Sequence, residues 1–310
     1  MNRRRFFIFC AALAATLILL WPKKPAPPGT QKTPETLYLR VLNGGEVETL
    51  PLEDYILGVT AAEMPADFEP EALRAQAVAA RTYALYCAGT GRHEGADVCT
   101  DYHCCQAWKS DDAMHRDWGE GYSERLARLR AAVEDTAGQY LRFAGRAAFT
   151  AFHSSSAGFT EACGAIWSEL PYLVSVSSPE NADSVPDYVS RVTVSAEKLR
   201  DTLLSACPEA ELSGPPEDWL GETRRDDSGR VSEVLIGGAA FSGVKLRTLF
   251  SLRSTAFDLD YADDAFCFTV TGFGHGVGMS QYGANVMAAQ GADYAAILAH
   301  YYPGTELAHL

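Results

Sequence analysis

A helix that is apolar on every side has to lie in the middle of a fold, and residues Ala72 to Tyr86 spell one. The stretch is rich in alanine, and its polar exceptions include Gln76, Arg81 and Thr82. Such a helix has no face to offer water, so other elements must pack around it. Each polar side chain on it then needs a partner. For Arg81 two roles are open: an ion pair with a carboxylate, or contact with an anionic or sugar ligand. Asp67 is the expected cap of this helix, with Pro70 in its first turn.

A second helix precedes it. Leu52, Tyr55, Ile56 and Val59 recur at helical spacing and make one apolar stripe. One further turn brings the stripe to Glu63, where a core residue is expected. Pro65 drives Met64 out of the α region, so the helix should end near Glu63. The carboxyl then sits at the negative end of the helix dipole on a desolvated face. Both effects disfavour its charged form and raise its pKa. An acid that keeps its proton near neutral pH is suited to general acid catalysis. The competing reading is an ion pair with a base such as Arg81.

The formal charge is -14. No basic stripe follows the first few residues, so no nucleic-acid partner is expected. Arg3, Arg4 and Arg5 precede the apolar run Phe6–Trp21, and no small-residue cleavage site follows it. This predicts an uncleaved N-terminal membrane anchor over 1–21, with a cleaved signal as the rival. Residues 22–35 are rich in Pro, Lys and Thr and are expected to be a linker. Beyond it the patterns predict an α+β fold: a mixed main domain with buried central helices and a smaller inserted or lateral αβ subdomain. The main domain is expected over 36–170 and 251–310, and the lateral unit over 171–250. Residues Thr36 to Val47 alternate around Asn43-Gly44-Gly45 and predict a hairpin. One amphipathic helix is expected over 118–137.

Three polar clusters invite chemistry. Cys99, His103, Cys104 and Cys105 offer soft ligands in one short loop, with His93 upstream. A disulfide is the rival in an oxidising compartment. His153-Ser154-Ser155-Ser156 ends an expected strand, a common place for ligand contacts. It lacks the G-x-S-x-G elbow of a serine nucleophile. Glycines at 272, 274, 276 and 278 alternate around His275. They clear space for a ligand or for another backbone.

Three stretches together resemble the stage II sporulation protein D family of lytic transglycosylases. They are AAEMPADFEPEALRAQAVAARTYAL, the run FHSSSAG with a downstream W and YL, and the terminal GHGVGMSQYGA. Order and spacing agree over most of the chain after about residue 36. The loop ending CCQAW also resembles clostridial members in which such a loop binds zinc. An extra cysteine leaves His103 or Cys104 beside His93, Cys99 and Cys105; the set expected is His93, Cys99, Cys104 and Cys105.

The resemblance implies a peptidoglycan lytic enzyme of forespore engulfment. Its substrate would be glycan strands stripped of stem peptides by the stage II sporulation protein P amidase. Stage II sporulation protein M would anchor the complex. The enzyme itself would be a single-pass protein of the cell membrane, its catalytic part outside, on the mother-cell side of the septum. The family's catalytic glutamate falls on Glu63, which would cleave MurNAc–GlcNAc bonds to 1,6-anhydro-MurNAc ends as acid and then as base. Arg81, His153, Ser154, Ser156, His275 and Gln281 fall at motif positions that would line the glycan groove. The alternative is a non-enzymatic, glycan-binding amidase enhancer. A third reading, a zinc hydrolase, sits poorly with a thiolate-rich ligand set, which suits a closed structural site.

Overall fold

The structure, a computed structural model, describes residues 36–310. The expected anchor and linker lie outside those residues. Among the described residues no helix is long and apolar enough to cross a membrane.

The chain opens with the expected hairpin. Strands Tyr38–Asn43 and Glu46–Pro51 pair antiparallel. Gly44 and Gly45 turn the chain at φ +58° and +93°, a region other residues enter only with strain. Helix α1 (Leu52–Glu63) follows at once and ends on the glutamate. Met64 is extended, with φ -126°, and its N–H closes the last turn on the Thr60 carbonyl at 3.1 Å.

Helix α2 (Pro70–Thr90) is the central element. Its cap is Glu69, not Asp67: Pro70 at the first helical position holds the preceding residue extended. The Glu69 N–H is met by Asn285 Oδ1 at 2.7 Å. Around α2 pack α1, α4 (Tyr122–Asp135), α8 (Gln281–Ala289), α9 (Tyr294–Tyr301) and strand Gln139–Phe143. The helix expected over 118–137 is α4, and a shorter helix that the sequence patterns did not mark precedes it. Helix α3 (Asp111–Trp118) starts from a Ser110 cap and ends at Gly119, whose φ +51° and ψ -123° are open to glycine only. Tyr55, Ile56, Leu73 and Leu129 are fully buried in this core. Each contributes roughly 1.5–3 kcal/mol by leaving water.

A second apolar core lies in the middle of the sequence. Helix α5 (Cys163–Ile166) is a single turn on the way to it. Two antiparallel sheets build it: Val189–Ser195 with Ala265–Thr271 and Phe257–Ala262, and Leu220–Arg225 with Val231–Ile236 and Ala239–Ser242. Helices α6 (Ala196–Ala206) and α7 (Gly243–Leu249) close it, capped by Ser195 and Ser242. Leu199, Ile236, Phe241, Leu246, Phe266 and Phe268 meet inside. The core extends past residue 250, taking in Phe257–Val270. Helices and mostly antiparallel sheets in separate layers make this an α+β fold.

The two cores join along the serine run. Phe152–His153 pairs in parallel with Met279–Ser280. Ser155 bridges Phe273, and Glu161 bridges Val277. The alternating glycines all have positive φ. A Cβ at Gly274 would lie 2.6 Å from the His153 Cβ, and one at Gly278 would lie 2.0 Å from the Ala151 carbonyl oxygen. The glycines let one backbone lie against another.

Candidate active site

A cavity of about 620 Å³ opens where the pieces meet. Among the described residues that line it, Glu63 is the only carboxylate. Helix α1 delivers it from its last turn, as the apolar stripe requires. Glu63 Oε1 accepts a hydrogen bond from the Ala107 N–H at 2.8 Å. Burial raises its pKa, and that one N–H works in the opposite direction. No basic side chain among the described residues pairs with it. The Ala107 loop is itself clamped to α1. Lys109 N–H donates to the Gly58 carbonyl at 3.0 Å, and the Trp108 ring covers Gly58 so closely that a Cβ there would meet Nε1 at 2.1 Å.

Arg81 does not reach the cavity. It is fully buried and pairs with Glu53 of α1. Its remaining donors meet the Gln139 carbonyl at 3.1 Å and the Val133 carbonyl at 3.3 Å. The groove position implied by the family motif gives way to a structural one, because a helix enclosed on all sides points this side chain at other elements. The pair fastens α2 to α1, and Glu53 also takes the Gly138 N–H at 3.0 Å.

The other expected groove residues separate by depth. Glu63, His153, Ser154, His275 and Gln281 line the cavity, and Ser156 does not. His153 is buried, with both ring nitrogens engaged inside the protein. Nδ1–H donates to the Val277 carbonyl at 3.2 Å, which fixes the tautomer, so Nε2 accepts from the Ser156 hydroxyl at 2.7 Å. Burial lowers its pKa strongly, so the ring is neutral. His275 is pushed down to about 4, chiefly by burial and next by the charge of Arg247. Its Nδ1 accepts the Val277 N–H at 3.0 Å. Gln281 Nε2 donates to Gln76 Oε1 at 3.4 Å, which meets the oxygen of one polar exception of α2 while the buried Nε2 of Gln76 has no partner among the described residues.

The Cys/His loop also converges. One ligand atom from each of His93, Cys99, Cys104 and Cys105 lies within 4.8 Å of the others. His93 Nε2 is 3.3 Å from the Cys105 sulfur and 3.6 Å from the Cys104 sulfur. A tetrahedral zinc site puts such atoms about 3.5–3.8 Å apart, given its bond lengths. The donor set and spacing therefore fit a metal. His103 stands outside the group, paired with exposed Asp101 at 3.3 Å. The seven described cysteines are all free thiols.

Two residues of the site escaped the sequence patterns. Glu180 is buried and takes three donors: the Ser156 N–H at 2.6 Å, the Ser178 hydroxyl at 2.6 Å, and the hydroxyl of Ser280, the α8 cap. It fixes the serine run against the residue preceding Gln281. Arg247 reaches the cavity from α7 of the second core. Glu180 lies in no periodic stripe, and Arg247 sits on a short helix that the sequence assigns to another unit. Aromatic rings complete the walls: Trp167 packs on His275 with centroids 4.9 Å apart and on Phe149 at 5.6 Å.

A family model described as "Stage II sporulation protein" matches residues 43–143, which hold both central helices and the Cys/His loop. The chain is 36% identical over 289 residues to the stage II sporulation protein D of Bacillus amyloliquefaciens, covering 92% of this chain and 82% of that protein. The protein of the same name from Bacillus subtilis (strain 168) is 35% identical over 292 residues, covering 92% and 83%. An amidase enhancer of Bacillus subtilis (strain 168) is 30% identical, over 81% of this chain and 40% of that protein.

Proposed function

The chain belongs to the stage II sporulation protein D family, and from that premise we propose that it acts on the cell wall during sporulation as a peptidoglycan lytic transglycosylase. The observation that carries the reading is Glu63: the one carboxylate of the cavity, raised in pKa by burial and free of any basic partner among the described residues. Protonated Glu63 donates to the glycosidic oxygen between N-acetylmuramic acid and N-acetylglucosamine. Positive charge develops at C1 of the muramic acid. Glu63, now ionised, takes the proton of that sugar's C6 hydroxyl as its oxygen attacks C1. One bond to C1 breaks, one forms, no water enters, and a 1,6-anhydro end results. One carboxyl serves both steps because its protonation state inverts between them. A hydrolase of the common kind would need a second carboxylate, and the described residues of the cavity walls offer none. The apolar faces of Phe149, Trp167 and Tyr282 suit sugar rings.

His93, Cys99, Cys104 and Cys105 would hold zinc. Bound there, the ion would cross-link the loop that ends at Ala107, a structural role without sugar chemistry. The substrate is glycan freed of stem peptides by the stage II sporulation protein P amidase, with stage II sporulation protein M as membrane partner. The chain works outside the cell membrane, on the mother-cell side of the septum, held by residues 1–21. The family resemblance supports these partners and this location.

The test is product analysis of stem-free glycan treated with the intact protein and with Glu63→Gln. Intact protein should yield 1,6-anhydro ends, and the variant should be slower by about 10²–10⁴-fold. Anhydro ends formed equally by both would remove Glu63 from the reaction. The amidase-enhancer relative supports a second reading, a glycan binder without catalysis. Absence of any new sugar end with intact protein, together with stimulation of an amidase, would favour it.

A further inference from the structure

Arg247 is an unmatched charge in this cavity. It is the only Arg or Lys among the described residues lining it. Its Nε donates to the Leu252 carbonyl at 3.3 Å, which sets the direction of the fork. Its two Nη groups have no hydrogen-bond partner, and no carboxylate pairs with it, among the described residues. The group is partly buried, and burial alone lowers its pKa, with no acid nearby to offset the effect. Arg81, by contrast, is buried and fully engaged. A half-desolvated guanidinium with both Nη groups unused is the arrangement that takes a planar anion through two parallel hydrogen bonds. Three ionisable groups of the lining do not compete. His153 and His275 are held neutral by their surroundings, and burial shifts Glu63 toward its protonated form.

We propose that Arg247 forms an anion subsite that reads the free lactyl carboxylate of a muramic acid residue in the bound strand. This rests on the cell-wall reading of the cavity. On a stem-free strand that group is a carboxylate and pairs with the fork. On a strand that keeps its peptide, the same carbon is an amide, neutral and bulkier, and Arg247 stays unpaired. The second core thereby contributes directly to the site, since α7 brings the selecting cation to the cavity where α1 brings the acid.

The test is titration calorimetry on the full-length chain carrying Glu63→Gln, so that strands are not consumed. Three sugars of equal length are compared: stem-free glycan, the same glycan with its carboxyls converted to methylamides, and a chitooligosaccharide. With Arg247 present, the carboxylate form should bind roughly ten- to hundred-fold more tightly than the methylamide. That preference should shrink as salt rises. Adding Arg247→Gln should bring the ratio close to one. Arg247→Lys should keep part of it, since a point charge lacks the fork. Equal binding of carboxylate and methylamide with Arg247 in place would overturn the subsite and leave the cell-wall reading standing. A preference that survives in Arg247→Gln would also overturn it. Failure to bind any of the three sugars would sink both. Thermal melting checks folding of each variant. Should Arg247→Gln not fold, the comparison of sugars with Arg247 in place still decides.

Discussion

Glu63 hangs from the backbone of Ala107 by a 2.8 Å hydrogen bond, two residues past the thiol of Cys105. The acid and the Cys/His group that could hold a metal therefore share one short piece of chain. The position of the Glu63 carboxyl is set by whatever holds that loop.

The first prediction concerns pH. Burial raises the Glu63 pKa above its unfolded value, so folding favours the protonated acid. Its contribution to stability is complete below the unfolded pKa and is lost as pH climbs through the folded one. Glu63→Gln cannot ionise and keeps an oxygen for the Ala107 N–H. Its melting temperature should therefore fall less than that of the intact protein between pH 5 and pH 8, by on the order of 2 °C. Parallel melts at both pH values measure this. The activity of intact protein should fall over the same rise in pH, as the donor loses its proton. An equal pH response of the two melting curves would mean that Glu63 is not desolvated.

The second prediction concerns the loop. Cys99→Ser removes one of four converging ligands. Zinc content should drop from about one ion per chain, and the melting temperature should fall with it. Because Ala107 would lose its fixed position, turnover should drop by about 10²-fold, as small misplacements of catalytic groups do. A chelator should reproduce the effect on the intact protein. Full activity after metal loss would show that the Trp108 clamp on Gly58 suffices to hold Ala107.

Periodicity carried the sequence reading well where one face of a helix decides the outcome. The stripe from Leu52 ends at Glu63, and α1 ends there too. Alternation around Gly44-Gly45 gave the hairpin for the same reason. It was silent on helix α3, a short segment bounded by the Ser110 cap and by Gly119 at φ +51°, because such ends are set by single residues and not by a repeating face. Depth was harder still. His153 and Ser156 sit in one motif, yet one reaches the cavity and the other supports it from behind. Arg81 lies in one of the three motifs that carry the resemblance and is wholly structural in its contacts. Arg247 and Glu180 reach the site across long stretches of chain, so no local pattern connects them to it.

The third prediction separates the two roles of Arg81. Arg81→Met leaves Glu53 without its partner and several backbone carbonyls without donors. Breaking one side of a fully buried ion pair costs about 3–5 kcal/mol, and because Glu53 is one-third exposed the loss here should be smaller, on the order of 2–3 kcal/mol. Denaturant unfolding should show that loss. In protein kept folded at low temperature, the affinity for glycan should stay within about two-fold of the intact value, since the side chain does not reach the cavity walls. A selective loss of glycan affinity with unchanged stability would return Arg81 to the groove.

The last prediction concerns Glu180, a positioning residue. Its carboxylate takes the Ser156 N–H and two hydroxyls at the junction of the serine run and α8. In Glu180→Gln one oxygen becomes an NH2 group that faces donors, and at least one charge-assisted bond is lost. Such bonds contribute about 1.5–3 kcal/mol each, so unfolding should register a loss of about that size. The serine run, with His153 in it, would then shift relative to Gln281, and turnover should fall by roughly ten-fold or more. The pH profile should keep its shape, because Glu63 retains its own surroundings and its Ala107 contact. A displaced acid limb would instead place the Glu180 carboxylate in the proton chemistry itself, and the single-acid mechanism would have to admit a second.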